Sequence, residues 1–250
     1  MSSNKLKLNE NKTEVIILAK KNQPSFSQLS IGNTSVSSSS NVRNLGVSLD
    51  KELNMQSQVT SVCKSAYFHL KNIARVRKYL TVAAAESLVH AFITSRIDYC
   101  NSLLCGISNL VISKLQHVQN SAARLILHVK KREHITPTLV KLHWLPVTHR
   151  ITFKVLLLTF KAMNRMAPQY ICDLLVPYQP SRTLRSADNH LLCVPRSRLA
   201  TYGDHAFSIA APKLWNSLPV HLRNCENLAA FKSQLKTYLF KDAYSTHLNQ

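Results

Sequence analysis

Glycine is scarce in this chain, with only four in 250 residues. No G-x-x-x-x-G-K or G-x-G-x-x-G pattern occurs, which excludes the usual glycine loops that cradle phosphates. Acidic residues are also few, and no two are adjacent; the nearest approach is Asp50-Lys51-Glu52. A tight turn bearing two consecutive aspartates, one device for gripping two catalytic metal ions, is therefore missing. Long apolar runs are absent too. The strongest, Val155 to Leu158, lies between Lys154 and Lys161 and is far too short to span a bilayer. No cationic-then-apolar leader opens the chain, so the expectation is an intracellular protein, nuclear or cytoplasmic, and not a secreted one. The six cysteines are scattered, and Cys100-x4-Cys105 has no matching pair or histidines downstream. Reduced core thiols fit better than zinc ligands or disulfides, and no cofactor is expected.

Positive charge is what the chain has instead. Thirty-two Lys and Arg stand against 12 Asp and Glu, a formal net charge of +20. Successive blocks of fifty residues carry +3, +4, +6, +5 and +2, so the excess runs along the whole length. Such a charge repels itself on compaction and is relieved by a polyanion. Nucleic acid is the natural partner, because phosphate contacts supply most non-specific affinity. A basic structural protein is the plainer reading, and a membrane partner is not expected.

The periodicity predicts an α+β chain, β-rich at the start and helical after it. Glu14 to Ala19 reads as a short strand, Gln28 to Ile31 as another, Gly32-Asn33 as a hairpin turn, and Ser37 to Ser40 as a polar connection. Arg43 to Leu49 reads as a further strand with Leu45, Val47 and Leu49 on one face. From Leu53 the spacing becomes helical, with Val59, Val62, Ala66, Leu70 and Ile73 forming a buried stripe. Lys64, Tyr67, Lys71, Arg75 and Lys78 fall on another face, four cations with an aromatic among them, suited to a sugar-phosphate backbone or simply to water.

Thr81 is placed to cap a second helix ending near Gly106. That helix has Glu86, Arg96 and Asp98 as its only charges, a composition that predicts a central, surrounded element. Asn109 to Val129 forms a third helix with Leu115, Val118, Ala122, Leu125 and Val129 inward. Its neighbouring face carries Lys114, His117, Ser121, Arg124 and His128 and leads into Lys130-Lys131-Arg132, a weak phosphate or nuclear-localisation patch. Thr136-Pro137 starts a short helix, and Trp144-Leu145-Pro146 turns the chain into an apolar helix from about 150 to 166. After a short helix from Ile171 to Leu174, residues 176–206 read as extended, exposed and partly mobile. Phe207 to Trp215 re-enters the core. Leu228 to Phe240 is a last amphipathic helix with Leu228, Phe231, Leu235 and Tyr238 inward. The expected divisions are 1–52, 53–175, 176–206 and 207–250.

The remaining chemistry is thin. Asp50 and Glu52 sit where helix-start acids are favoured by the macrodipole, and pairing or capping accounts for Asp98 and Asp173. Among eleven histidines, none has a nucleophile in a recognisable setting.

A set of motifs in fixed order changes the weight of these readings. They are Leu8-Asn9-x-x-Lys12-Thr13-Glu14, Asn44-Leu45-Gly46-Val47, Ser95-Arg96-Ile97-Asp98-Tyr99-Cys100-Asn101 and Gln116-x-x-Gln119-Asn120-Ser121-Ala122-Ala123-Arg124. Arg132-Glu133-His134-Ile135-Thr136-Pro137, Leu142-His143-Trp144-Leu145-Pro146-Val147, Val194-Pro195-Arg196 and Ala211-Pro212-x-Leu214-Trp215-Asn216-x-Leu218-Pro219 follow. Together they resemble the C-terminal part of LINE-type non-LTR retrotransposon reverse transcriptases of the CR1/L2-like group. The resemblance implies a palm end and primer-grip region over 1–52 and a thumb-like bundle beyond it. It places Lys12 near the incoming nucleotide and Leu45, Gly46 and Val47 near the primer terminus. It implies an RNA or RNA–DNA hybrid partner bound through the basic helix faces, with affinity falling as salt rises. The full-length family would use Mg2+, but its aspartate motifs are missing here, so the expectation is a catalytically inactive fragment, with Met1 an internal methionine of a longer polyprotein. Two other expectations stand beside it: a structural or interaction remnant that self-associates through exposed strand edges, and a thumb supplied in trans to a separate polymerase.

Overall fold

The computed structural model describes residues 12–18, 28–31, 34–180, 190–197 and 203–248. Helices account for 60% of the chain and strands for two small antiparallel sheets near the N-terminus, which makes the fold α+β as its periodicity predicts. The chain divides into two compact units, Met1–Ser61 and Val62–Gln250.

In the first unit, β1 (Gln28–Ile31) pairs with β2 (Thr34–Ser37), with Ile31 opposite Thr34. The predicted Gly32-Asn33 turn lies outside the described residues. Ser37 closes β2 and so belongs to the sheet rather than to a connection. The expected strand from Glu14 is a single bridge between Val15 and Ser38. The expected strand from Arg43 to Leu49 is a hairpin, β3 (Asn41–Asn44) and β4 (Val47–Asp50), folded over at Leu45-Gly46. Both turn residues have positive φ, 47° and 82°, the geometry whose twist matches two-residue hairpins. Gly46 reaches it without strain, and Leu45 is carried along at the tip, 84% exposed. Asp50 then closes the loop that follows. Its Oδ1 accepts the amide protons of Glu52 and Asn54 at 3.2 and 3.0 Å, and Oδ2 that of Met55 at 2.8 Å. These bonds hold Leu53 and Met55 at φ of 51° and 59° just before α1 (Gln56–Val76).

The second unit is helical. After α1 and a 3-10 turn over Arg77–Tyr79 come α2 (Val82–Val89), a π-helical turn over His90–Thr94 and α3 (Ser95–Asp98). Thr81 caps α2 by accepting the Ala84 amide at 3.2 Å. The π turn has a cause in the sequence. Ala85, Val89, Ile93 and Ile97 are all buried at strict four-residue spacing, which drifts about 40° per step around an α-helix. A wider turn rewinds that drift and keeps all four on one face. Val82, Phe92 and Tyr99 are nevertheless exposed, so this element is covered on one side rather than surrounded. It stops at Tyr99, and Cys100 turns left-handed into a 3-10 segment over Asn101–Leu104, before Gly106.

The next helix, α4 (Asn109–Leu127), buries Leu115, Val118 and Ala122 as its period predicts and ends at His128, φ 54°. Leu125 and Val129 are only half-buried. Then follow α5 (Thr136–Lys141), α6 (Val147–Met163) and α7 (Gln169–Cys172). The apolar helix begins three residues earlier than predicted because Pro146 is extended and the Val147 amide is capped by Gln116 Oε1 at 2.8 Å. Helices α8 (Phe207–Asn216), α9 (Val220–Arg223) and α10 (Leu228–Leu248) complete the unit. The main core joins Leu156 and Phe160 of α6, Ala211 and Trp215 of α8, and Phe231 and Leu235 of α10. Phe160 and Phe231 stack at its centre, 4.3 Å between centroids.

Residues 190–193 are extended as predicted, Leu192 bridging Pro177, but they are anchored rather than exposed throughout. Asn216 grips both backbone groups of Leu192, accepting its N–H at 2.9 Å and donating to its carbonyl at 2.8 Å. Trp215 Nε1 donates to the His190 carbonyl at 2.7 Å, and Leu192 is 2% exposed. Residues 181–189 and 198–202 lie outside the described residues.

Near its end α10 departs from helical geometry at Tyr244, φ −128°, whose hydroxyl donates to the Trp144 carbonyl at 2.6 Å. Burial raises this phenol to about 12. A folded value above the ordinary 10 stabilises the fold fully below pH 10 and is lost as pH climbs towards 12. Tyr244→Phe should cost about 1 kcal/mol at neutral pH and flatten the loss of stability across that alkaline window. Urea unfolding at stepped pH tests this. An unchanged alkaline slope in the variant would refute it.

Candidate nucleic-acid interface

In the second unit the predicted basic face of α1 is on the surface. Lys64, Lys71 and Arg75 are exposed, Tyr67 is 45% exposed among them, and Lys78 is exposed in the 3-10 turn after the helix. Lys78 Nζ rests 4.8 Å from the centre of the Tyr79 ring. The stripe that turns this face outward is Ala66, Leu70 and Ile73, all buried. Continued by four residues, the same stripe reaches Arg77.

Arg77 is 5% exposed, and among the described residues no carboxylate pairs with it. Its guanidinium donates to the Leu125 carbonyl at 3.0 Å, the Ile126 carbonyl at 2.5 Å and the Leu80 carbonyl at 2.7 Å. Leu125 and Ile126 belong to the last turn of α4, whose carbonyls have no partner within the helix and carry the negative end of its dipole. Burial pushes the Cys63 thiol of α1 up, and the Lys114 ammonium of α4 opposes that rise. Along α1 the rise from Cys63 to Arg77 is about 20 Å, with Lys64 at one end and Lys78 at the other.

The loop after α4 is shaped by Arg124. It is half-buried, and its guanidinium donates to the carbonyls of Lys130 and Glu133, while the Lys130 amide bonds Glu133 Oε1 at 3.0 Å. Arg124 is therefore a strut, and Lys130, Lys131 and Arg132 are the exposed cations it presents. Among the described residues, the ion pairs are Glu86–His90, Asp242–His149, Asp98–Arg150 and Asp204–Lys213. None engages Lys64, Lys71, Arg75, Lys78, Lys114, Lys130, Lys131 or Arg132.

The other predicted residues belong to the first unit. Lys12 is exposed, Leu45 and Gly46 make the hairpin tip, and Val47 is buried at 4%, which removes its side chain from contact with a ligand.

The carboxylates singled out in the sequence do not fit a magnesium site. Both Asp50 oxygens accept backbone amides, as described above. Asp98 takes a bidentate pair from Arg150, through Nε at 2.8 Å and through an η nitrogen. Asp173 accepts from Gln169 Nε2 at 2.7 Å and is exposed at the end of α7.

Two features escaped the sequence reading. Arg77 was detectable, because it continues the buried stripe at the right spacing. The other is Phe68, which falls off that stripe and is 63% exposed beside the cations.

Arg77→Met should leave the α4 carbonyls without a donor and destabilise the second unit by about 3 kcal/mol. Arg77→Lys, with one compact ammonium in place of a fork, should recover only part of this. Urea midpoints measure both, and a Met variant as stable as the parent would remove Arg77 from this role.

No family model matches the chain, and neither the curated proteins nor the solved structures contain a match.

Proposed function

We propose that this chain is a non-catalytic, nucleic-acid-binding part of a LINE-type reverse transcriptase, holding RNA or an RNA–DNA hybrid without joining nucleotides by itself. The observation that carries this is the set of exposed, unpaired cations on α1, on α4 and in the loop after α4, held in one arrangement by Arg77 and Arg124. The motif order in the sequence supports the family, and the net charge of +20 supports a polyanion as partner. An interval of about 20 Å corresponds to roughly six phosphates along one strand of a duplex. Lysines suit this work, being point charges on flexible stems that follow a backbone without reading its sequence.

A specific observation favours a second reading. Among the described residues each sheet of the first unit has two strands, and Leu29 is half exposed on β1. Open strand edges of this kind pair with other chains, which would make the chain a self-associating remnant.

Fluorescence anisotropy with a labelled RNA–DNA hybrid separates the two. Affinity should fall linearly on a log–log plot against salt, by about 0.9 per phosphate neutralised. Lys71→Glu combined with Arg75→Glu should weaken binding to all sequences alike and reduce the slope by about 2. Salt-independent binding, or dimers without affinity for nucleic acid, would refute the first reading. Templated DNA synthesis by the purified chain would refute its non-catalytic part.

A further inference from the structure

We propose that the outer face of α1 carries a seat for an unpaired nucleobase, with Phe68 as the stacking surface and Lys64, Lys71 and Arg75 on the flanking phosphates. The inference rests on the nucleic-acid reading above and adds to it which part of the nucleic acid is held.

Phe68 follows Lys64 by four residues and precedes Lys71 by three and Arg75 by seven, so all four share one strip of the helix. An apolar ring in such a strip is out of place on packing grounds, since Ala66, Leu70 and Ile73 already supply the buried stripe. Yet the ring is held. Phe68 meets the His69 imidazole edge-to-face, centroids 5.4 Å apart and planes at 78°. His69 in turn stacks on Phe92, 5.1 Å apart at 20°. Phe92 belongs to the π turn, and it is 43% exposed while its neighbour Ile93 is fully buried. The π turn therefore has a consequence for the surface: it places Phe92 where it can buttress His69, and His69 where it can steady Phe68.

Base–aromatic stacking is tolerant of sequence because every base has a π-face, and it needs a base outside a duplex. A blunt duplex shows its phosphates here but no base face. An amphipathic protein helix is the other occupant to weigh. It would want apolar anchors at steps of three and four, and this strip instead alternates Phe68 with cations. Charge complementarity selects the single-stranded polyanion.

The test uses the full chain with three labelled probes of about sixteen units: oligouridylate, an abasic chain with the same phosphates, and a blunt RNA–DNA hybrid. Wild type should prefer oligouridylate over the abasic chain by roughly tenfold or more. Phe68→Ala should lose that preference, leave the hybrid unchanged and keep the salt slope. Phe68→Tyr should retain it, and Phe68→Leu should not. Equal binding of oligouridylate and abasic chain by wild type, or an unaffected Phe68→Ala, would overturn the base seat while charge-driven binding stands. Failure to bind any of the three would instead sink the nucleic-acid reading itself. Dimers broken by Phe68→Ala, with no dependence on bases, would assign this face to a protein partner and overturn the seat as well.

Discussion

The buried guanidinium of Arg77, held by three carbonyls, is the interaction on which the rest of the second unit depends. A buried cation is costly unless its hydrogen bonds are met. With 12 acids against 32 lysines and arginines, most cations cannot be paired with carboxylates. The fold uses backbone oxygen instead. Arg77 takes the last carbonyls of α4, Arg124 takes those of Lys130 and Glu133, and Arg223 donates through Nε to the Leu218 carbonyl at 3.1 Å. Burial lowers the pKa of Arg223, the direction expected where desolvation disfavours charge. Arginine suits these positions because its fork serves two or three acceptors at once, while the lysines, with a single compact head, stay in water.

Several of the motif residues are polar clasps in the fold. Gln116 donates to Gln119 and Asn120 and caps Val147, while Gln119 donates to the Leu145 carbonyl at 2.8 Å. That network fixes the Trp144-Leu145-Pro146 turn against α4. Asp98 and Arg150 join α3 to α6 across 52 residues of sequence. Trp215 and Asn216 hold the segment around Leu192. The common task of these groups is to satisfy backbone or charge where the chain changes direction, where an unmet polar group would be expensive.

How much of this was legible follows from the range of each interaction. Helices α1, α4, α6 and α10 show in the 3.6-residue spacing of their own apolar residues, a local property. The hairpin at Leu45-Gly46 was hidden because Leu45, Val47 and Leu49 alternate as a strand would. The usual Asn-Gly pair is also split there by a leucine that must itself turn left-handed. The anchoring of residues 190–193 could not be read locally, since the groups that grip them lie about two dozen residues further on. The basic faces were legible as lists of residues, but the strut role of Arg124 was not. A half-buried arginine and an exposed one have the same spelling, and only the carbonyls of a loop distinguish them. Phe68 was missed, although elimination would have found it: it is the one large apolar residue of α1's middle turns that is neither on the stripe nor the tyrosine already assigned to the face.

A cationic strip that contains an aromatic ring behaves differently from either part alone. The phosphate contribution comes from counterion release and falls steeply as salt rises. The stacking contribution is short-ranged and apolar in origin, so salt leaves it nearly untouched. At low salt, the lysines and Arg75 would make any polyanion adhere and the ring would hardly be noticed. As salt rises, the shared electrostatic background shrinks, and the preference for a strand with free bases becomes the larger share of what remains. Selectivity on such a surface therefore grows as affinity declines, because the residues that attract and the residue that discriminates respond to different physics.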